Sequence, residues 1–439
     1  MENNLPEGWA TVFFTDVLDI QGGTQPPKST FKYEPVKGYI RLLQIRDFGE
    51  KPLPTYIPFR EQLKTCSEND ILIARYGASI GRIVTGMTGA YNVALAKVII
   101  PGSLDRDYVR YILKSDYFQR PILAIERSAQ DGFNKDDLAE IEIPIPPVPE
   151  QHRIVAKLDA LMERVERNKQ RIDKIPALLK RFRQSVLAAA VNGRLTEEWR
   201  QANSKPEWEY DEAESLCHLI TKGTTPKSDD LLSEGDIPFL KVYNIVNQKI
   251  DFNYKPQWVA NHIHNNHLKR SRVYPNDVIM NIVGPPLGKV ATVTNQYKEW
   301  NVNQALAIFR PKERLLPQFI FMILCEGTPI SGIEKEFRGT AGQSNISLEQ
   351  CRKFIFPIPS IAEQQEIARR VEQLFSFADK IEARYTKAKA MLDKLPQSIL
   401  AKAFRGELIP QDPNDEPASV LLERIKAEKD EISKSKGKR

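Results

Sequence analysis

IPIPPVPEQ, from Ile143 to Gln151, opens a stretch that ends in VLAAAVNGRL (Val186–Leu195). Both ends return 213 residues later, as FPIPSIAEQ (Phe356–Gln364) and ILAKAFRGEL (Ile399–Leu408). No gap is needed to align the copies, and the shift pairs Glu150 with Glu363, Gln151 with Gln364 and Gly193 with Gly406. Self-similarity at so long a period implies two duplicated modules and not a solenoid. Inside both copies the apolar residues step by four and three. The first carries Ile154, Leu158, Leu161, Val165, Ile172, Ile175, Leu179, Phe182 and Val186. The second carries Ile367, Val371, Leu374, Ala378, Ile381, Tyr385, Ala388, Leu392 and Leu395. That spacing predicts a coiled-coil seam whose simplest partner is the other copy. The alternative is two amphipathic helices, each capping a separate core. Asn168 is polar at a seam position, where it either fixes register or marks a frayed point near Pro176, a residue expected to kink or break the first helix.

The segments between the helices repeat as well. Residues 1–148 read as a mixed α/β module, with strand-like Tyr39–Ile45 and Asp70–Arg75, a short apolar run at Lys97–Ile100 and a helical face at Tyr108–Leu113. Residues 204–360 follow the same order. LITKGTTPKS (Leu219–Ser228) answers DIQGGTQPPKS, GDIPFLKVYNI (Gly235–Ile245) answers GYIRLLQIRDF, and NDVIMNIVGPPLG (Asn276–Gly288) answers NDILIARYGASIG. The framework is kept while the loop chemistry differs. The expected organisation is therefore a module at 1–148, a helical region at 149–203, a second module at 204–360, a helix at 361–410, and a C-terminal helix with a basic tail at 411–439. The lysine-rich end, SKSKGKR, is expected to be solvated.

Composition bounds the function. Formal net charge is +6 over 439 residues, distributed as −2 for 1–148, +5 for 149–203, +1 for 204–360 and +2 for 361–439. Chains that bind nucleic acid alone by bulk charge are more basic than these modules. Four scattered cysteines and the absence of any long apolar run or leader pattern point to the cytoplasm, with no membrane span, disulfide framework or zinc ribbon. No phosphate-binding loop or glycine-rich nucleotide fingerprint is present, and GPPLGK at Gly284–Lys289 has too few spacer residues. The His262, His264, His267 cluster has ligand types for a metal, but its asparagine-rich setting reads as a surface loop. No catalytic residue, metal site or cofactor is expected in this chain.

IPIPPVPEQHRIVAKLDAL with its copy, LLKRFRQSVLAAAVNGRLTEEWR, and VEQLF with QSILAKAFRGEL resemble the conserved regions of type I restriction-modification specificity subunits, most closely those of the IA subgroup. The resemblance covers nearly the whole chain. It implies two similar target-recognition domains joined by two long antiparallel coiled-coil helices with pseudo-two-fold symmetry. It implies a non-catalytic subunit that reads a bipartite site in double-stranded DNA, one half per domain. It also implies docking of two methyltransferase subunits that use S-adenosylmethionine on adenine, and restriction (translocase) subunits that add ATP- and Mg-dependent cleavage. Two other readings are a duplicated scaffold that binds only proteins, which the near-neutral modules favour, and a self-contained modification enzyme, which the missing motifs disfavour.

The loops supply the candidate DNA contacts. In the first module these are Arg41, Gln44 and Arg46, with Arg75, Tyr76 and Ser79 in the next loop. Their counterparts are Lys241, Tyr243 and Asn244, to which Gln343, Ser344 and Asn345 are added. Arginine grips guanine, and glutamine or asparagine grips adenine, through paired hydrogen bonds. Thr24, Thr224, Thr225 and Lys227, in the glycine–proline loops, are expected on phosphates, which position without specifying.

Overall fold

The computed structural model describes residues 5–126, 132–284, 286–337 and 345–436. The chain divides into two compact units: Met1–Ile172 with Lys387–Arg439, and Asp173–Thr386. Six helices matter most: α1 (Arg106–Lys114), α2 (Val148–Ile172), α3 (Ile175–Val191), α4 (Pro317–Glu326), α5 (Ile361–Phe404) and α6 (Ala418–Lys436). Pro176 does break the first repeat helix. The chain turns at 173–174 and α3 restarts with the proline in its first turn, where the missing N–H costs nothing. α5 has Lys389 at the equivalent place and runs unbroken for 44 residues, with Pro396 inside it.

In the first unit, Ala10–Phe13 pairs antiparallel with Glu142–Ile145. One four-stranded antiparallel sheet orders Asp19–Gly22, Leu95–Ile99, Leu72–Ala74 and Ile83–Val84. A second holds Tyr39–Leu43 between Tyr56–Pro58 and Gly89–Tyr91, the last pairing being parallel. The second unit repeats this plan. Glu209–Glu212 pairs with Ile355–Ile358, a four-stranded sheet orders Cys217–Lys222, Leu306–Pro311, Val278–Asn281 and Val290–Thr292, and Ile237–Leu240 lies parallel to Trp300–Val302.

The helix pairs are antiparallel within each unit. In the first, Lys169 pairs with Asp393 at 3.7 Å, while Arg153, sixteen residues earlier, meets Asp415 at 2.6 Å. In the second, Arg183 meets Asp379 at 2.7 Å and Glu382 at 2.8 Å, and Arg370 donates to the Leu195 carbonyl at 2.7 Å. Of the heptad residues, Ile154, Leu158, Val165, Ile367 and Val371 are buried, while Leu161, Leu374 and Ile381 are half-buried. Asn168 and Ala388 are exposed, so the expected continuous seam opens there and Asn168 is not a buried register pin.

The repeated Glu-Gln pair explains why the duplicated stretch is kept. Glu150 accepts the Trp9 indole at 2.9 Å and Gln411 Nε2 at 3.2 Å. Glu363 accepts the Trp208 indole at 3.0 Å, Thr196 Oγ1 at 2.8 Å and Arg200 Nε at 3.0 Å. Beside them, Gln151 accepts the Asp105 N–H at 3.0 Å and donates to the Pro146 carbonyl at 2.9 Å. Gln364 accepts the Leu316 N–H at 2.8 Å and donates to the Pro359 carbonyl at 2.8 Å. Each pair thus ties a repeat helix to the start of its module and to the loop before α1 or α4. The segment that follows the opposite helix completes each clasp.

The C-terminal segment belongs to the first unit's core. Ala418, Leu421 and Ile425 are buried there, and Lys429 Nζ donates to the Thr15 carbonyl at 2.8 Å and the Asp16 carbonyl at 2.9 Å. The expected helix at Ala418–Ala427 extends to Lys436, and residues 437–439 of the basic tail lie outside the described residues. Gly406 turns the chain into this segment with φ +74°, and a Cβ on it would stand 2.1 Å from Pro6 Cγ. Gly406→Ala is expected to cost about 2 kcal/mol or more, from left-handed strain plus the clash. A urea midpoint unchanged from wild type would contradict that.

Candidate nucleic-acid interface

The loops expected to read bases are held by a few buried polar groups. In the first unit Asp47 is 2% exposed. It accepts the Gln44 N–H at 2.8 Å and faces Arg41 Nη2 at 3.4 Å. Thr55, fully buried, receives Gln44 Nε2 at 3.3 Å and Arg46 Nη2 at 3.2 Å. Arg41 and Gln44 are half-buried, and Arg46 is exposed. Arg75 donates Nε and Nη2 to the Phe133 carbonyl, both at 3.1 Å, and stacks 5.2 Å from the Tyr76 ring. Gly132, at φ +76°, makes this approach possible, because a Cβ there would lie 2.2 Å from the Arg75 carbonyl. Tyr76 is left 38% exposed, with Ser79 half-buried beyond it. Arg75 therefore spends its guanidinium joining two loops, and Tyr76 and Arg46 are the more available groups.

The second unit uses the same scheme with other side chains. Asn244 departs from the expectation of an exposed loop residue. It occupies the place of Asp47, is 1% exposed, accepts the Lys241 N–H at 2.9 Å and donates to the carbonyls of Asp251 at 3.2 Å and Tyr254 at 2.8 Å. Its amide is consumed by holding the loop, and Lys241 lies half-buried beside it. Tyr243 donates to the Lys255 carbonyl at 3.2 Å and stacks edge-on against Tyr254 at 6.0 Å. Burial of this phenol raises its pKa. Tyr254, 49% exposed with Lys255 Nζ 5.4 Å from its ring, completes an aromatic–cation cluster that sequence reasoning passed over. The interleaving in FNYKPQW was the available signal. Asn345 is exposed and bridges to Val283, which sets the segment before the short helix Leu348–Arg352 against the end of the strand Val278–Asn281, as Phe133 is set against Arg75. Gln343 and Ser344 lie outside the described residues.

The glycine–proline loops are twins. Thr24 N–H donates to the Tyr91 carbonyl and Thr224 N–H to the Val302 carbonyl, both at 3.1 Å. A Cβ on Gly23 or Gly223 would sit 2.1 Å from the Asn92 or Asn303 carbonyl oxygen, so only glycine fits at either place. Thr24 borders a cleft of about 200 Å³ that also takes in Gln25 and Arg60. Thr224 Oγ1 accepts from Arg270 at 3.4 Å, Thr225 Oγ1 accepts the Gln304 N–H at 3.5 Å, and Lys227 is exposed.

His264 corrects the surface-loop reading of its cluster. It is 1% exposed, with Nδ1 2.6 Å from Asn301 Oδ1 and Nε2 2.5 Å from Glu299 Oε2, whereas His262 and His267 are exposed. Its two ring nitrogens are thereby committed to packing the second module. Burial pushes the Cys217, Cys325 and Cys351 thiols up to about 12, which keeps them protonated at neutral pH. Among the described residues no helix is long and apolar enough to cross a membrane.

Comparison with known proteins agrees with this duplicated geometry. The type I restriction modification DNA specificity domain matches twice, at residues 6–177 and 205–389. The EcoBI specificity subunit of Escherichia coli is 36% identical, over 97% of this chain and 93% of its own. The EcoKI specificity subunit of E. coli strain K12 is 29% identical over 97% and 96%, and the StySPI specificity subunit of Salmonella potsdam 30% over 97% and 96%. Among solved structures, a chain of a type I R-M system has a TM-score of 0.67 at 19% identity, covering 92% of this chain and 99% of its own. The HsdS subunit of Thermoanaerobacter tengcongensis has a TM-score of 0.59 at 20% identity, covering 92% and 98%. Two family domains spanning most of the sequence, each built on the same strand order and closed by the same Glu-Gln clasp, make this chain a member of the type I restriction-modification DNA specificity subunit family.

Proposed function

We propose that this chain is the non-catalytic DNA specificity subunit of a cytoplasmic type I restriction-modification complex. The observation that carries the reading is one framework built twice with different loops. Residues 1–148 and 204–360 then act as target-recognition domains, each reading one half of a bipartite duplex site. Arg46, Tyr76 and Ser79 serve the first half, and Tyr243, Tyr254 and Asn345 the second. Asp47 and Asn244 hold the reading loops in shape. Thr24, Thr224, Thr225 and Lys227 serve phosphates, which fix the register of the protein on the duplex. Arg46 offers a fork for guanine, and the exposed tyrosines offer apolar edges for base or methyl contact.

The helices carry the second part of the role. Leu178 and Met391 stand 213 residues apart, at equivalent places in the repeat, and are 59% and 70% exposed. Two equivalent apolar positions on paired helices suit two copies of one partner, here the methyltransferase subunits that bind S-adenosylmethionine and modify adenine. Restriction subunits would add ATP- and Mg-dependent cleavage to that assembly. A purely protein-binding scaffold is not favoured, because the family is one of DNA specificity domains.

Combined Arg46→Ala and Tyr76→Ala substitution tests the loop assignment. In the assembled complex, preference at one half-site should fall about tenfold or more while the other half-site is read normally. Equal loss at both halves, or no change at either, would contradict it.

A further inference from the structure

The first unit holds a half-open groove of about 460 Å³ against the repeat helices. Ile83, Met162 and Leu400 form an apolar floor, and Arg82, Arg110 and Lys114 supply three cations. Arg110 is already neutralised, with Nε 2.8 Å from Asp107 and Nη2 3.3 Å from Asp159. Arg82 donates to the Phe48 carbonyl at 2.5 Å. Lys114 is different. Its ammonium has no hydrogen-bond or ion-pair partner among the described residues, though it is half-buried at the end of α1. Burial, with Arg110 beside it, holds its pKa below the ordinary lysine value. A desolvated cation next to a second cation raises the energy of the fold unless an anion joins it.

The second unit shows that the framework does not need this charge. Gln397 Nε2 caps the Lys114 carbonyl at 3.1 Å, and Gln184, its repeat equivalent, caps the Glu326 carbonyl at 2.7 Å. The helix end is thus anchored identically, yet the second unit presents Cys325 and Glu326 at that turn. The cation is an addition specific to one half of a duplicated molecule.

We propose that the groove receives a carboxylate-bearing side chain from one methyltransferase subunit, with Lys114 as its counter-ion, so that the two partner copies are held unequally. The apolar floor matches the aliphatic stem of such a side chain. A DNA phosphate would leave Ile83, Met162 and Leu400 without a partner surface. This inference rests on the specificity-subunit reading above.

The test uses the full chain co-purified with its modification subunit, with complex masses followed by native mass spectrometry during dilution. Wild type should hold two partner copies. Lys114→Glu should lose one copy at a concentration about tenfold or more higher than wild type while the other stays bound. Lys114→Met, which keeps the stem and removes the charge, should fall between them and serves as the control for folding. Two copies retained at wild-type affinity in Lys114→Glu would overturn the inference and leave the specificity reading intact. Normal assembly with weakened, less salt-sensitive DNA binding would also overturn it and assign the groove to a phosphate. Failure of the wild-type chain to recruit any copy would overturn both readings.

Discussion

Glu363→Ala is expected to destabilise the second unit by about 3–5 kcal/mol, the range for removing one member of a buried charged network. Glu363 is fully buried and accepts three hydrogen bonds, from Trp208, Thr196 and Arg200. Its loss strands the Arg200 guanidinium, 13% exposed at its side chain, whose other acidic neighbour is Glu207 at 3.7 Å and 95% exposed. The donors come from two places, the segment after α3 and the residue just before the first strand of the module, so the substitution loosens the module from its helix as well as lowering stability. Glu363→Gln retains an acceptor oxygen without the charge and should recover part of the loss. Urea unfolding followed by tryptophan fluorescence reads this directly, since Trp208 is itself one of the donors. Losses below about 1 kcal/mol for both substitutions would show that the clasp does not stabilise the unit.

The second large effect is on DNA spacing. Adding seven residues to each repeat helix, near Asn168 in α2 and near Ala388 in α5, keeps the heptad phase and lengthens the pair by about 10 Å. At about 3.4 Å per base pair, the unread gap should grow by about three base pairs. Methylation of the original site should disappear, and a new site with the same half-sites and a longer gap should replace it. The insertion falls where the seam is already open, with both Asn168 and Ala388 exposed, so it disturbs little packing. Altered half-site bases would contradict the use of the helices as a spacer. Insertion into one helix alone breaks the pairing register and should abolish activity.

The duplication, the two modules and the paired helices were legible because a fixed offset and a four-three apolar step survive as patterns in the letters. Burial along that step was not. Heptad phase says which face a residue takes, whereas coverage depends on what lies opposite, which is why Leu374 and Ile381 are only half-buried and Ala388 is exposed. The pairing of Glu150 with Glu363 was visible as identity, but its meaning needed Trp9 and Trp208 to be placed beside the two carboxylates. Asn244 and His264 were misread for one shared reason. Polar side chains in polar stretches look solvated in sequence, yet each is the buried group that its loop folds around. Alignment of the two modules did hold the clue for Asn244, since it stands opposite Asp47, four residues after the end of a strand in both cases. Arg75 carried the right chemistry for a base contact, but its Nε and Nη2 donate to the carbonyl of Phe133, a residue 58 positions away.

A methylation map of the host genome, with and without this gene, tests the central claim most directly. A specificity subunit requires that one split motif, containing adenine in both halves, lose its methylation when the gene is removed and regain it on complementation. An unchanged map, in cells that still express the methyltransferase subunit, would contradict the assignment of DNA reading to this chain.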